Sequence, residues 1–272
     1  MGYATILVHL EFDGSNDARL QYATDLAGDL DAFLIGLTAA AVRPVHASEL
    51  GVQESHAYSE ELEQRIAERF AALKRQFYSV AGDGFNSGWR AVRDLPACAL
   101  VDNARVADLI ISGTPFGVDP GDRYRSVDPG DLACGAGRGV LFVGEGAVFR
   151  HPQCAVIGWK DTPEARRAVA CALPFLKLAE KTVVVTLCAD DGHPAEGPKD
   201  VARYLARHGI DADVRVVTGA DGPEAFLDIV DREGADLTVT GAYGHSRMRE
   251  RLFGGFTRAL LRRSDLTRLM AG

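Results

Sequence analysis

The chain has 272 residues, of which 47% are hydrophobic and 25% charged, and its formal net charge is −8. These values are typical of a globular protein and exclude a disordered chain. The acidic balance argues against general affinity for nucleic acid or anionic membranes. Because the sequence shows neither a long apolar span nor a signal-peptide pattern, we expect a cytoplasmic protein. Five cysteines without a C-x-x-C pair, and dispersed histidines, predict reduced thiols and no metal site.

The first half of the chain alternates strand patterns with helix patterns. An apolar strand at 6–8 leads into the turn Asp13-Gly14-Ser15, and a helix follows to about residue 30. Further along, the patterns predict strands at 33–37, 89–92, 107–113 and 140–143 and helices at 59–80 and 97–104. Continuous apolar strands separated by helices are typical of a parallel sheet that is covered on both faces.

The second half repeats this order of elements. Segment 235–241 closely copies segment 107–113, and each is an apolar strand that a glycine closes. The patterns around it predict strands at 155–157, 182–187, 214–217 and 266–270 and helices at 163–178, 198–208 and 223–232. The fold class is therefore α/β. We expect two tandem doubly wound, Rossmann-like parallel-sheet domains, at 1–148 and 149–272, packed as an internal pseudo-dimer. A further homodimer is left open.

The segment after the second repeated strand carries the candidate binding residues. Gly241 and Gly244 follow the strand, Gly254 and Gly255 precede a helix predicted to about residue 263, and Thr257 adds a hydroxyl. Glycines at the carboxyl end of a parallel strand let backbone N–H groups approach a phosphate, and the start of a helix favours an anion. Three arginines between 247 and 251 add positive charge. The alternative is that the glycines form only tight turns and the arginines only a solvated face.

These patterns resemble the universal stress protein family, in particular its tandem-domain members, over essentially the whole chain. The family motif is glycine, two residues, glycine, nine residues, glycine and then serine or threonine, and Gly241, Gly244 and Gly254 match its spacing. The resemblance implies a fold like that of adenine nucleotide hydrolases. It also implies that the loop wraps the phosphates and ribose of ATP or another adenine nucleotide, with or without magnesium. The implied binding residues are Gly241, Gly244, His245, Gly254, Gly255, Phe256, Thr257, Trp159, Lys160 and Asp161.

The two halves depart from the family pattern in different ways. In the second half, Gly255 stands where the motif has serine or threonine, and Lys160 stands where the family has an aspartate, unless Asp161 takes that role. The first half keeps Asp13, but Phe116 replaces the second glycine, and segment 114–122 contains two prolines and two acids. Prolines and acids would block the backbone approach and repel phosphate. We therefore predict at most one nucleotide site per chain, in the second half.

Three functions are compatible with these patterns. The leading hypothesis is a stress-response protein that binds an adenine nucleotide in its second half and acts through unidentified protein partners. The second is a tandem scaffold that works without a nucleotide, in which Gly255 and Lys160 mark a site already lost. Trp159 is open to two interpretations, as a platform for a base or as a half-buried core residue. The third is a slow ATPase or phosphotransferase with His245 near Thr257. We predict no catalytic residues, because no Gly-x-Ser-x-Gly elbow, Walker loop or paired-carboxylate motif is present.

Overall fold

The structure is a computed structural model that describes residues 2–43, 52–84, 86–113, 122–144, 146–188, 197–242 and 255–272. The strands are β1 (Thr5–His9), β2 (Phe33–Ala39), β3 (Ser87–Val92), β4 (Leu109–Gly113), β5 (Gly139–Val143), β6 (Cys154–Gly158), β7 (Lys181–Cys188), β8 (Asp213–Thr218), β9 (Leu237–Gly241) and β10 (Thr267–Ala271). The helices are α1 (Asp17–Leu30), α2 (Val52–Ala81), α3 (Pro96–Asn103), α4 (Pro129–Gly135), α5 (Pro163–Leu178), α6 (Gly197–Arg207), α7 (Gly222–Glu233) and α8 (Phe256–Leu261). A 3₁₀ turn, Ala104–Val106, follows α3.

All ten strands form one continuous sheet in the order β3-β2-β1-β4-β5-β10-β9-β6-β7-β8. Strands within each half are parallel, whereas β5 and β10 pair antiparallel at the centre, with Leu141 opposite Leu269. This arrangement confirms the α/β fold with two doubly wound halves and an internal pseudo-dimer. Because the direction reverses at β5 and β10, the carboxyl ends of the two sets of strands lie at opposite edges of the sheet.

Helices cover both faces of the sheet, as the continuous apolar strands predict. One face packs against α1, α2, α5 and α6 and the other against α3, α4, α7 and α8, as the membership of the two main apolar clusters shows. Neighbouring residues of β1 illustrate the alternation, because Ile6 and Val8 belong to the first cluster and Leu7 to the second. Within the ranges given above, no helix has the length and apolarity needed to cross a membrane.

Some element boundaries differ from those predicted. Helix α2 begins at Val52 and not at 59. The stretch before 59 contains good helix formers such as Gln53 and Glu54, but it is polar and so lacks the apolar periodicity from which a helix is predicted. Helix α4 was not predicted, and its start depends on a local cap in which the Asp128 carboxylate accepts a hydrogen bond from the Asp131 N–H at 2.9 Å. The division of the chain at 148 and 149 stays a prediction.

Candidate functional site

A cavity of about 410 Å³ lies at the carboxyl ends of β6, β7 and β9. We call it the second-half cavity; its described lining residues are Gly158, Trp159, Lys160, Thr162, Ala165, Val185, Thr186, Leu187, Asp221, Gly222, Pro223, Phe226, Thr240, Gly241, Phe256 and Thr257. Strand β6 pairs with β7 on one side and with β9 on the other. The chain therefore leaves β6 in one direction and returns on its other side. Ligands of open α/β sheets bind in the crevice at such a switch point.

Gly241 allows the end of β9 to pack directly against the start of α5. A Cβ atom at this position would lie 2.7 Å from the backbone nitrogen of Ala165 and 2.9 Å from the carbonyl carbon of Glu164. No real side chain tolerates such distances to backbone, so only glycine fits here. The first glycine of the sequence motif thus closes the wall that β9 and α5 share in this cavity.

The apolar wall of the cavity comes from helices α7 and α8. The rings of Phe226 and Phe256 pack with their centroids 5.1 Å apart, which holds the starts of these two helices side by side. A Cβ atom on Gly158 would lie 3.0 Å from the Phe226 ring and from the Thr240 methyl group. A larger residue at 158 would therefore need these neighbours to move, and glycine keeps the space above them open.

Helices α5 and α7 both begin at the cavity wall. Thr162 caps α5, since its hydroxyl accepts a hydrogen bond from the Ala165 N–H at 3.3 Å. The dipole of α5 and the Lys160 side chain give this part of the wall a positive potential that suits an anionic group, whereas the Asp221 carboxylate stands at the start of α7. Thr257, at the start of α8, is buried and lines the same space.

Trp159 separates the second-half cavity from a neighbouring one. Its side chain is buried. Its backbone N–H donates a hydrogen bond to the Val185 carbonyl at 2.7 Å, and its backbone carbonyl accepts one from the Thr186 hydroxyl at 3.1 Å. The neighbouring cavity, of about 510 Å³, lies between α5 and α6 and includes Asp161. The Asp161 carboxylate accepts hydrogen bonds from Arg166 at 2.6 and 3.0 Å. Asp161 therefore lies outside the described lining of the second-half cavity, and its role in place of the family aspartate stays a prediction.

The structure brings together half of the residues that the sequence analysis assigns to the site. Those that line the second-half cavity are Trp159, Lys160, Gly241, Phe256 and Thr257. Gly255 is the N-cap of α8, immediately before Phe256. Gly244, His245 and Gly254, as well as Phe116 in the first half, lie outside the described residues.

Sequence reasoning missed several lining residues on the other side of this cavity. Thr186 and Leu187 come from the end of β7, whereas Asp221 and Phe226 come from the start of α7. A signal for Asp221 is present in the sequence, because an aspartate two residues before Pro223 marks the start of a helix after a parallel strand. Strand ends and helix starts of this kind meet at one edge of a doubly wound sheet.

The corresponding place in the first half contains five polar side chains. This first-half polar cluster consists of His9, Glu11, Asn16, Arg19 and Ser112. The Arg19 guanidinium donates to the Glu11 carboxylate at 2.7 Å and to the Asn16 side-chain oxygen at 2.6 Å. The Glu11 N–H also donates to Asn16 at 2.8 Å, and the His9 Nδ1 lies 3.3 Å from the Ser112 hydroxyl. Arg19 is buried although it is charged, and this network provides acceptors for both of its terminal nitrogens, while its Nε has no partner among the described residues.

Burial and charge set the protonation of this cluster. Burial, followed by the positive charge of Arg19, lowers the pKa of His9 to about 4. Burial by itself would raise the pKa of Glu11, but the charges of Arg19 and His9 and the hydrogen bond from Arg19 hold that pKa below its usual value. At neutral pH the cluster therefore contains a neutral histidine beside an ionised Glu11–Arg19 pair.

The strand registers identify the equivalent positions of the two halves. Ile6 pairs with Leu109 as Ala155 pairs with Leu237, so His9 corresponds to Gly158 and Ser112 to Thr240. Counted in the same way from the strand end and the helix start, Glu11 corresponds to Lys160 and Arg19 to Ala165. A Cβ atom on Gly113, the counterpart of Gly241, would overlap the Arg19 guanidinium. The Arg19 side chain thus packs against Gly113, whereas the backbone of α5 packs against Gly241.

The second half of the chain matches a known family in sequence. Residues 156–270 match the family model described as the universal stress protein family. A comparison with curated proteins finds no match.

Solved structures resemble the whole chain. A universal stress protein from Archaeoglobus fulgidus DSM 4304 is 15% identical and has a TM-score of 0.68, over 98% of this chain and 95% of that one. A functionally unknown protein from Pseudomonas aeruginosa PAO1 is 16% identical, with a TM-score of 0.58, over 98% of this chain and 92% of that one. At these identities the likeness shows a shared fold across both halves.

A shorter solved structure matches part of the chain. It is a universal stress protein in complex with cAMP, 24% identical over 45% of this chain and 99% of that one, with a TM-score of 0.36. Residues 156–270 therefore resemble the universal stress protein family in sequence, and the chain as a whole shares the fold of a solved universal stress protein.

Proposed function

We propose that this protein binds ATP or a related adenine nucleotide in the second-half cavity and that it responds to stress through its contacts with partner proteins instead of through catalysis. The observation that carries the proposal is the cavity itself, which lies at the switch point of the second half and has the glycine-motif strand β9 and the start of α8 in its wall. Its volume of about 410 Å³ falls within the usual range of small-molecule sites.

The described lining suits a molecule with an anionic end and a flat apolar part. Lys160, Thr257 and the start of α5 offer positive potential and hydrogen-bond donors. Leu187, Phe226 and Phe256 offer apolar surface.

A thermal-shift titration of the purified protein tests the proposal. ATP, ADP and AMP are each added with and without magnesium to the wild type and to Gly244→Asp, which places a negative charge in the glycine motif. A ligand of the folded state raises Tm with concentration by mass action. We expect this rise for the wild type and its loss in Gly244→Asp.

The matched control is Gly117→Asp, the same change in the corresponding segment of the first half. In this variant, nucleotide should still raise the Tm. If no nucleotide raises the Tm of the wild type, the nucleotide-independent scaffold becomes the better hypothesis. Magnesium-dependent release of phosphate that Thr257→Ala abolishes would instead favour the slow ATPase.

A further inference from the structure

The second-half cavity contains one carboxylate among its described lining residues, that of Asp221. Asp221 is the N-cap of α7, and its backbone is extended as in other caps, yet its side chain makes no cap hydrogen bond to the helix. Thr162 and Asp128, the N-caps of α5 and α4, both accept such a bond. An aspartate cap typically stabilises its helix by about 1 kcal/mol, so the Asp221 carboxylate gives up a contribution that its position allows.

The Asp221 side chain is exposed, and it makes no hydrogen bond or ion pair with the other described residues, whereas Asp161 is bound by Arg166. Lys160 lines the same cavity, but an ammonium group donates hydrogen bonds and cannot accept them. Asp221 is therefore the charged acceptor among the described lining residues for groups of a ligand that donate hydrogen bonds.

Asp221 reaches the cavity from a different element than the residues that suit a phosphate. Asp221 lies at the start of α7, whereas Lys160 follows β6 and Thr257 belongs to α8. A phosphate bound by Lys160 and Thr257 leaves Asp221 for another part of the ligand. The negative charge of Asp221 favours this orientation, because it repels the phosphates and attracts hydroxyl or amino groups at the other end of the ligand.

We propose that Asp221 is a specificity-determining residue, whose carboxylate accepts hydrogen bonds from the ribose hydroxyls or the exocyclic amine of the bound nucleotide. This inference depends on the proposed function. It assigns to α7 the acceptor role that Lys160 cannot perform at the end of β6.

Isothermal titration calorimetry tests the assignment with four ligands. They are ATP, 2′-deoxy-ATP, 3′-deoxy-ATP and the purine riboside triphosphate that lacks the exocyclic amine. A hydrogen bond to a charged group is strong enough that the wild type should bind the analogue without the recognised donor about tenfold or more weakly than ATP. The arm that shows this loss identifies the donor as a sugar hydroxyl or as the amine.

Asp221→Ala should bind ATP more weakly than the wild type does, by the same factor. It should also bind ATP and that analogue with equal affinity. Asp221→Asn keeps the shape of the side chain and removes its charge, so it controls for misfolding of the alanine variant. It should also fail to distinguish ATP from that analogue. Glu224→Gln, an acidic residue one turn further along α7 and outside the described lining, should behave as the wild type.

Two results would overturn the assignment and leave the proposed function intact. One is that the wild type binds all four ligands equally, and the other is that Asp221→Ala still discriminates among them. If the wild type binds no nucleotide at all, both the assignment and the proposed function fail together.

Discussion

The two halves of this protein use the same place in the fold differently. In the second half, Gly158 and Ala165 leave a cavity at the carboxyl ends of the strands, whereas in the first half His9 and Arg19 fill the equivalent positions. The Arg19 guanidinium lies against Gly113, and Glu11 neutralises it where the second half has Lys160.

One fold therefore accommodates an open cavity in one half and a filled one in the other. In the first half, the space at the strand ends contains a charged side chain with its own hydrogen-bond partners. The first half keeps Asp13, but its exposed carboxylate lies 3.7 Å from Arg125 and outside the first-half polar cluster. The loop 114–121, which the sequence analysis singles out as the lost element, lies outside the described residues. The described change is therefore the one at Arg19 and His9.

The largest effect is expected from Arg19→Met, which removes the charge but keeps much of the length. Glu11 would then be a buried carboxylate without its partner, and breaking a buried ion pair in this way typically costs about 3–5 kcal/mol of unfolding free energy. Urea unfolding at pH 7.5 measures the loss. Glu11→Gln combined with Arg19→Met should recover much of it. A loss below about 1 kcal/mol for the single variant would show that the pair is not a structural centre of the first half.

Transfer of the Arg19–Glu11 ion pair to the equivalent positions of the second half should fill the second-half cavity. Lys160→Glu with Ala165→Arg places the first-half ion pair at the equivalent positions of the second half, where both residues line the cavity. We expect ATP affinity to fall by about a hundredfold or more, because the ligand must displace a satisfied ion pair. Calorimetry measures the affinity, and circular dichroism checks the fold. A folded double variant that binds ATP as the wild type does would contradict the equivalence of the two places.

The pH dependence of stability should come in part from His9. Its pKa is about 4 in the folded protein and 6.5 unperturbed, so between these values the unfolded chain binds the extra proton. The contribution is therefore fully present above about pH 6.5 and is lost as the pH falls towards 4, by a few kcal/mol at most. Unfolding at pH 7.5 and pH 5 should show a steeper loss for the wild type than for His9→Gln. Equal losses would mean that His9 titrates normally.

Gly241→Ala tests the close packing of β9 against α5. Its Cβ would meet backbone atoms of Glu164 and Ala165 that cannot rotate away, and such overpacking costs about 1–3 kcal/mol. Gly28→Ala is the control, because a Cβ there meets nothing within 4 Å in the exposed face of α1. The control should be neutral or stabilising by up to about 1 kcal/mol. Thermal unfolding separates the two, and a neutral Gly241→Ala would show that the wall can move.

The smallest effect is expected from Arg166→Ala. The Arg166–Asp161 pair is short, at 2.6 Å, but both side chains are about 60% exposed, in contrast to the buried Arg19–Glu11 pair. Exposed pairs contribute at most about 1 kcal/mol and are screened by salt. Unfolding in low and high salt should show a small difference that salt removes. If Arg166→Ala lowers the free energy of unfolding as much as Arg19→Met does, the contribution of an ion pair to stability does not depend on its burial in this protein.

Much of the fold could be predicted from the sequence because local signals and the internal repeat agree. The apolar strands, the helix start at Pro163 and the copy of 107–113 at 235–241 are sufficient to predict two doubly wound halves. The candidate site was predicted less completely. Trp159, Lys160 and Gly241 lie at strand ends, and the sequence analysis assigned them to the site. Asp221 and Phe226 belong to a helix distant in the sequence, and the helix-start signal at Asp221 does not by itself indicate a place in the cavity.

By itself, the sequence determined the order of strands and helices, the two-fold repetition and the glycine motif, since all three depend on residues that are close in the chain or recur at a fixed period. Only the tertiary structure decided that β5 and β10 join the halves into one sheet, that Arg19 fills the first-half place and that Asp221 lines the second-half cavity. The physical reason is that these contacts join residues on different elements. Their distances depend on how the sheet is assembled, which no local pattern in the chain specifies.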